Sequence, residues 1–291
     1  MKSIKIIGVF VITVLIAVGS ATAKDRASGS GNFLALGDSV PFGFIDQAGF
    51  EYLYPENFVS YADYDSILLG LNLVNASCPG ETTSSFLSAV APDNGCHEYR
   101  RQAPLHVVYT SFNGTQFAYA TGYLRQNLDT SLVTLMLGAD DLLLLEQQCN
   151  NDPTCIRNGA PQVLATAEAN MSHILAGLRA TGYTGPIVIV NYYSTDYSNQ
   201  FETELIQALN AAVTAPASQF GAAVADVFSA FQAATNNPFA MGNTCMAGLL
   251  NAANPQTNPP TCDVHPSQFG HKLIASVISG LDQQRQAPAK Q

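Results

Sequence analysis

Short apolar runs alternate with longer amphipathic segments along most of the chain. The runs that we interpret as strands are residues 33–36, 71–74, 132–137, 187–190 and 222–227. Residues 164–178, 205–213 and 274–281 repeat their apolar positions at helical spacing, and Gly182 and Pro216 stand where the first two of these helices should end. Apolar strands that alternate with helices predict an α/β fold with a central parallel sheet covered on both faces.

The residues that directly follow the apolar runs are the candidates for a functional site, because ligands of such sheets bind beyond the carboxyl ends of the strands. These candidates are Ser39 after the first run, Gly80 after the second, Asp140 and Asp141 after the third, and Asp263 with His265 near the end of the chain.

Serine, histidine and aspartate together can form an activated nucleophile, with histidine as the base and aspartate orienting it. Ser39 alone could equally be a helix N-cap, which is a common use of serine. A lone histidine is more often structural, but His265 lies two residues after Asp263. The two tyrosines of "NYYSTDY", Tyr192 and Tyr193, could wall a substrate pocket or be ordinary loop residues.

The stretch "LMLGADDLLL" places Asp140 and Asp141 inside an apolar run. Buried carboxylates are costly unless they are paired or protonated. Each of the two carboxyl groups is therefore expected to have a bonding partner or a function that offsets the cost of its burial.

The composition argues against some classes of binding partner. The chain has 291 residues, of which 47% are hydrophobic and 12% charged, with a formal net charge of −10. This balance argues against nucleic acid and against anionic membrane surfaces, which attract basic patches. The charge does not indicate which partner is favoured, and we expect a monomer.

The first 23 residues resemble a secretory signal peptide, with Lys2 and Lys5 before an apolar stretch and Ala21-Thr22-Ala23 at the end. The apolar stretch is shorter than the ~20 residues that would span a bilayer as an anchor. We predict cleavage after Ala23, export without a remaining membrane anchor, a flexible lead-in over residues 24–31, one domain over 32–282 and a disordered tail over 283–291.

Six cysteines allow 15 connectivities in an exported chain. Their clustering predicts three local bridges, Cys78–Cys96, Cys149–Cys155 and Cys245–Cys262. A zinc site is the alternative, but the paired CxxC or HxxxH spacings are missing. No metal and no cofactor are predicted.

Four stretches resemble the sequence blocks of the SGNH/GDSL hydrolases. They are "FLALGDSV", "CPGETT", "LMLGADD" and "DVHP", and they occur in the order of the family over nearly the whole mature chain. The resemblance implies a flavodoxin-like three-layer α/β/α domain that hydrolyses carboxylic esters of small molecules or lipids.

Transferred by position, the resemblance makes Ser39 the nucleophile, His265 the general base and Asp263 its orienting acid. The oxyanion hole would consist of the Ser39 and Gly80 N–H groups and the side chain at position 140. Asp141 is then a structural acid, expected to accept backbone hydrogen bonds from the turn.

Two positions depart from the family pattern. Family members often have the acid three residues before the histidine, where this chain has Cys262. Position 140 is aspartate where the family has an asparagine that donates to the oxyanion. The sequence therefore predicts a secreted serine esterase or lipase with an altered oxyanion hole, and it leaves two alternatives: an impaired binding protein of the same fold, and an acyltransferase to an alcohol or sugar.

Overall fold

The computed structural model describes residues 31–46, 53–107, 109, 114–254 and 261–286. The predicted signal peptide, its cleavage site and almost all of the lead-in lie outside the described residues. Within the described ranges, no helix combines the length and apolar character that a membrane crossing requires.

A five-stranded parallel sheet forms the centre of the fold, as predicted. Its strands are β1 (Asn32–Gly37), β2 (Asn72–Asn75), β3 (Leu132–Met136), β4 (Ile187–Val190) and β5 (Ala222–Ala225). They are hydrogen-bonded in the order β2-β1-β3-β4-β5. Every residue of β3 and β4 is buried, which is expected of strands covered by helices on both faces.

Ten helices of the described chain surround the sheet. They are α1 (Ser39–Phe42), α2 (Tyr61–Leu69), α3 (Thr83–Leu87), α4 (Cys96–Gln102), α5 (Gln116–Gln126), α6 (Ala139–Gln148), α7 (Pro153–Ala180), α8 (Gln200–Thr214), α9 (Val227–Thr235) and α10 (Gln268–Gln286). Helix α10 packs against α2 and α9, and α7 packs against α3, α5, α6 and α8. The last helix extends to Gln286, four residues into the segment predicted as a disordered tail.

A buried histidine joins α10 to α2. His271 Nδ1 accepts a hydrogen bond from the Tyr61 N–H at 3.1 Å. Burial lowers the pKa of His271 to about 3, so the ring is a neutral acceptor with a structural role.

The sequence analysis missed an antiparallel hairpin, formed by β6 (Leu250–Asn254) and β7 (Thr261–Pro266). Pro266 ends β7, and α10 begins at Gln268. His265 is therefore held by a strand outside the main sheet. Asn and Pro interrupt the apolar pattern here, so the segment carries no strand periodicity.

All three predicted disulfides form: Cys78–Cys96, Cys149–Cys155 and Cys245–Cys262. The first joins the segment after β2 to the start of α4. The last joins the segment before β6 to β7, the strand that carries His265.

Loss of the Cys78–Cys96 bridge should destabilise the protein more than loss of Cys149–Cys155. The two bridges span 18 and 6 residues, and a loop of roughly 15 residues restricts the unfolded chain by about 3 kcal/mol. Paired Cys→Ser variants at each bridge, unfolded in denaturant without reductant, measure the difference. Equal losses, or the reverse order, would contradict the expectation, and reductant should lower the stability of the unmodified protein.

Candidate active site

A cavity of about 710 Å³ opens at the carboxyl end of the parallel sheet. Six of the residues predicted for the site line it: Ser39, Gly80, Asp140, Tyr192, Tyr193 and His265. His265 belongs to β7, and the other five follow strands β1 to β4. The fold therefore brings together groups as far apart in sequence as Ser39 and His265, which are separated by 226 residues.

Ser39 and His265 are in hydrogen-bond contact, with Oγ 3.0 Å from Nε2. Ser39 is the first residue of α1, but it is not the N-cap. Asp38 is the N-cap, and its Oδ1 accepts from the Val40 N–H at 2.9 Å. The Ser39 hydroxyl is thereby left to contact the histidine.

Two carboxylates flank the other ring nitrogen of His265. Nδ1 is 3.5 Å from Asp263 Oδ1 and 3.8 Å from Asp46 Oδ1, and it has no hydrogen-bond partner in the described chain. Asp263 Oδ1 instead accepts from the His265 backbone N–H at 2.7 Å. The Asp263 side chain thus lies beside the His265 ring although the two residues are only two positions apart in sequence. Asp46 is a second acid beside the ring, and no sequence motif indicated it.

Aromatic contacts hold the histidine strand. The Tyr193 hydroxyl donates to the Val264 carbonyl oxygen at 2.7 Å, between the two residues of the Asp–His pair, and its ring stacks on Phe231. The Phe44 ring meets the His265 ring edge-on at 5.1 Å. Tyr193 therefore both lines the cavity and fixes β7, whereas the sequence left open a pocket wall or an ordinary loop residue.

Gly80 occupies a position where only glycine fits. Its φ is +82°, and a Cβ there would lie 2.4 Å from the Asn94 carbonyl oxygen. The Asn94 N–H in turn donates to the Gly80 carbonyl oxygen at 2.8 Å. The backbone of Gly80 is thus packed tightly against the segment that precedes α4.

Asp140, in the first turn of α6, is buried, with 4% of its surface exposed. Its Oδ1 accepts a hydrogen bond from Asn94 Nδ2 at 2.7 Å. Burial, reinforced by the nearby Asp38 carboxylate, holds the pKa of Asp140 well above its usual range. A neutral carboxyl at this position can donate a hydrogen bond into the cavity.

The neighbouring Asp141 has a different environment. It accepts from the Thr83 N–H at 2.8 Å and from Thr83 Oγ1 at 2.7 Å, which satisfies the first residue of α3. The expectation of backbone hydrogen bonds is correct, but the donor lies in a neighbouring segment. Of the paired acids, one thus stabilises a helix start and the other lines the cavity.

Asp38 is a third buried carboxyl beside the site. The Tyr192 hydroxyl donates to its Oδ2, so Tyr192 is more than a wall of the cavity. Burial raises the pKa of Asp38 to about 6, although the hydrogen bonds from Tyr192 and Val40 oppose the increase.

Gln116 and Glu81 support the turn that precedes Ser39, and sequence reasoning missed both. Gln116 accepts from the Gly37 N–H at 2.6 Å and donates to the Gly37 carbonyl at 2.9 Å. It also donates to Glu81 at 3.1 Å. Burial raises the pKa of Glu81 to about 7, despite hydrogen bonds from Ser85 and Gln116. The only signal in the sequence that could have drawn attention to Glu81 is its place in the second block, and nothing in the sequence marks Gln116.

The family comparison agrees with this geometry. The model of the GDSL-like lipase/acylhydrolase family matches residues 35–273. Since that match spans well over half of the chain, the protein belongs to the GDSL-like lipase/acylhydrolase family. A comparison with curated proteins gave no match.

Solved structures share the fold at low sequence identity. A phospholipase A1 from Streptomyces albidoflavus NA297 superimposes with a TM-score of 0.55 at 16% identity, covering 86% of this chain and 99% of that one. An α/β-hydrolase enzyme from the metagenome of Lake Arreo, Spain, gives 0.52 at 14% identity, covering 88% and 97%. The three-layer fold predicted from the sequence is confirmed by the sheet, its helices and these structures.

The buried acids should make the protein more stable at mildly acidic than at alkaline pH. A pKa raised on folding contributes stability that is complete below the unfolded pKa and is lost as pH rises through the folded pKa. For Glu81 this window runs from 4.5 to about 7, and for Asp38 from 3.8 to about 6.

Glu81→Gln removes the titrating group and tests this expectation. The decline in unfolding free energy between pH 5 and pH 8 should shrink, by on the order of 3 kcal/mol at most for a shift of this size. Denaturant unfolding at both pH values measures it. An unchanged decline would mean that Glu81 is not buried as a neutral acid.

Proposed function

We propose that the protein is a secreted serine ester hydrolase that acts through an acyl-enzyme on Ser39. The observation that carries the proposal is the contact between Ser39 Oγ and His265 Nε2 beside an open cavity. A hydroxyl within hydrogen-bond reach of an imidazole is the arrangement from which a base can remove the proton during attack.

Acylation begins when His265 takes the Ser39 proton and Ser39 Oγ attacks the ester carbonyl. The carbonyl oxygen becomes an oxyanion, held by the N–H groups of Ser39 and Gly80 and by the neutral carboxyl of Asp140. His265 then protonates the departing alcohol. Water, activated by His265, attacks the acyl-enzyme and releases the acid, which returns Ser39 to its starting state.

The flanking acids stabilise the imidazolium that forms in both steps. Asp263 Oδ1 and Asp46 Oδ1 lie on the Nδ1 side of the ring, so their negative charge favours the protonated ring during attack. Neither meets Nδ1 at hydrogen-bond distance in the free protein; catalytic hydrogen bonds are often longer before substrate is bound.

The substrate class follows from the cavity walls. Beyond the polar site the cavity is lined by aliphatic side chains of α6, α7 and α8: Leu142, Leu143, Ile156, Leu205 and Ile206. An apolar wall favours the acyl chain of a lipid or other hydrophobic ester. The fold neighbour described as a phospholipase A1 agrees with a lipid ester, and the three disulfides agree with export.

Turnover of p-nitrophenyl esters of increasing acyl length, with Ser39→Ala as control, tests the proposal. Activity that persists in Ser39→Ala would overturn the nucleophile, and binding without turnover in the unmodified protein would favour the impaired binding protein. Product analysis with added alcohols separates hydrolysis from acyl transfer, because a transferase would yield the ester of the acceptor.

Ser39→Ala and His265→Ala should each lower kcat by several orders of magnitude, since nucleophile and base act as a unit. Asp263→Ala should lower it less, because Asp46 remains beside Nδ1. The double variant of Asp263 and Asp46 should then lose more than the sum of the single effects on the free-energy scale. Additive single effects would show that Asp46 does not act on the histidine.

Asp140→Asn should flatten the alkaline limb of the kcat–pH profile and raise kcat. Asp140 can donate to the oxyanion only while protonated, whereas His265 must be neutral to accept a proton, so the two requirements leave a narrow bell. An amide donates at every pH, and the gain is bounded by the ~10²–10³ in rate that one oxyanion donor provides. An unchanged profile would remove residue 140 from the hole, and a lower rate would assign Asp140 another role.

A further inference from the structure

Asp140 is connected to the protein surface by two side-chain amides. Gln147 Nε2 donates to Asn94 Oδ1 at 2.7 Å, and Asn94 Nδ2 donates to Asp140 Oδ1 at 2.7 Å. Gln147 lies about two turns after Asp140 on α6 and is exposed, whereas Asn94 lies before α4. Both hydrogen bonds run in the same direction, toward the carboxyl.

We propose that Asn94, oriented by Gln147, is a positioning residue that makes Asp140 donate its proton into the oxyanion hole. The inference rests on the proposed ester hydrolysis. It explains how an aspartic acid replaces an amide, because a neutral carboxyl has one oxygen that accepts and one that donates. The side-chain Nδ2–H of Asn94 fixes Oδ1 of Asp140 as the acceptor, and the proton is then carried by Oδ2.

The opposite orientation of the Asn94 side-chain amide would prevent Asp140 from donating to the oxyanion. If the Asn94 amide were rotated, its carbonyl oxygen would face Asp140 and accept the hydrogen bond of the carboxyl O–H. Asp140 would then present a bare carbonyl oxygen to the developing oxyanion and repel it. The Gln147 donor selects the productive orientation, because it meets the oxygen of Asn94 and leaves the Asn94 nitrogen for Asp140.

The segment around Asn94 is held in place independently of this amide. The Asn94 N–H donates to the Gly80 carbonyl at 2.8 Å. Asp93 caps the following turn by accepting from Gly95 N at 2.8 Å and from His97 N at 3.0 Å. The Cys78–Cys96 disulfide closes the loop. One segment thus contacts both Gly80 and Asp140, two of the three expected oxyanion donors.

The charges around Asp140 give the pH signature of this role. Four titratable groups face Asp140 from the segments that follow the strands: Asp38 after β1, Glu81 after β2, Asp141 after β3 and Tyr192 after β4. Burial is the main reason for the raised pKa of Asp140, and the charges of Asp38, Asp141 and Glu81 raise that pKa further. The Asn94 donor opposes them, because it stabilises the carboxylate. Removing that donor should therefore move the alkaline limb to higher pH while lowering the maximal rate.

Two substitutions of Gln147 test the orientation directly. Gln147→Glu can only accept, so it draws the Asn94 nitrogen outward and should lower kcat by about tenfold or more, within the ~10²–10³ ceiling of one oxyanion donor. Gln147→Lys can only donate, so it keeps the orientation and should retain a clearly higher kcat than Gln147→Glu. Each is measured at the pH optimum of that variant, since the two charges shift the profile in opposite directions, and thermal melting checks the fold.

Asn94→Ala supplies the second measurement. Its alkaline limb should move to higher pH in the Asp140 protein, while the same substitution made together with Asp140→Asn should show no alkaline limb to move. Equal kcat values for the two Gln147 variants, or an unmoved limb in Asn94→Ala, would overturn the inference. Loss of the proposed function has a separate signature, namely hydrolysis that survives Ser39→Ala.

Discussion

The close approach of β1 and β3 at their carboxyl ends is the constraint on which the site depends. A Cβ on Gly37 would lie 1.8 Å from the Met136 carbonyl oxygen, and the Asp38 N–H donates to the same oxygen at 3.2 Å. The chain can therefore turn away from β1 only with glycine at this position, at φ +135°. That turn places Ser39 beside Asp140 at the point where the strand order reverses, where open α/β sheets bind their ligands.

Burial of acids is the electrostatic consequence of this packing. Asp38, Asp140 and Asp141 follow adjacent strands, so excluding water from the turns also removes water from their carboxyls. The protein meets that cost in two ways: donors such as the Thr83 N–H and hydroxyl for Asp141, and a raised pKa for Asp140. The same low-polarity surroundings strengthen any hydrogen bond given to an oxyanion.

The elements that sequence reasoning recovered are those with local signals. The buried strands are unbroken apolar runs, the disulfides join near neighbours, and the four motif blocks lie at the carboxyl ends of strands or just before α10. Gln116 could not be found this way, since it contacts Gly37 across 79 residues with no pattern around it. Asn94 and Asp46 lie in irregular segments, where position comes from tertiary packing alone. The β6–β7 hairpin was missed for the related reason that its strands are polar and irregularly paired.

The Cys78–Cys96 bridge links the proposed oxyanion hole to the redox state of the protein. It anchors the segment that packs against Gly80 and reaches Asp140, so it restrains two of the three groups expected in the oxyanion hole. A chain in a reducing compartment would carry Ser39 and His265 but would lack this restraint on the hole.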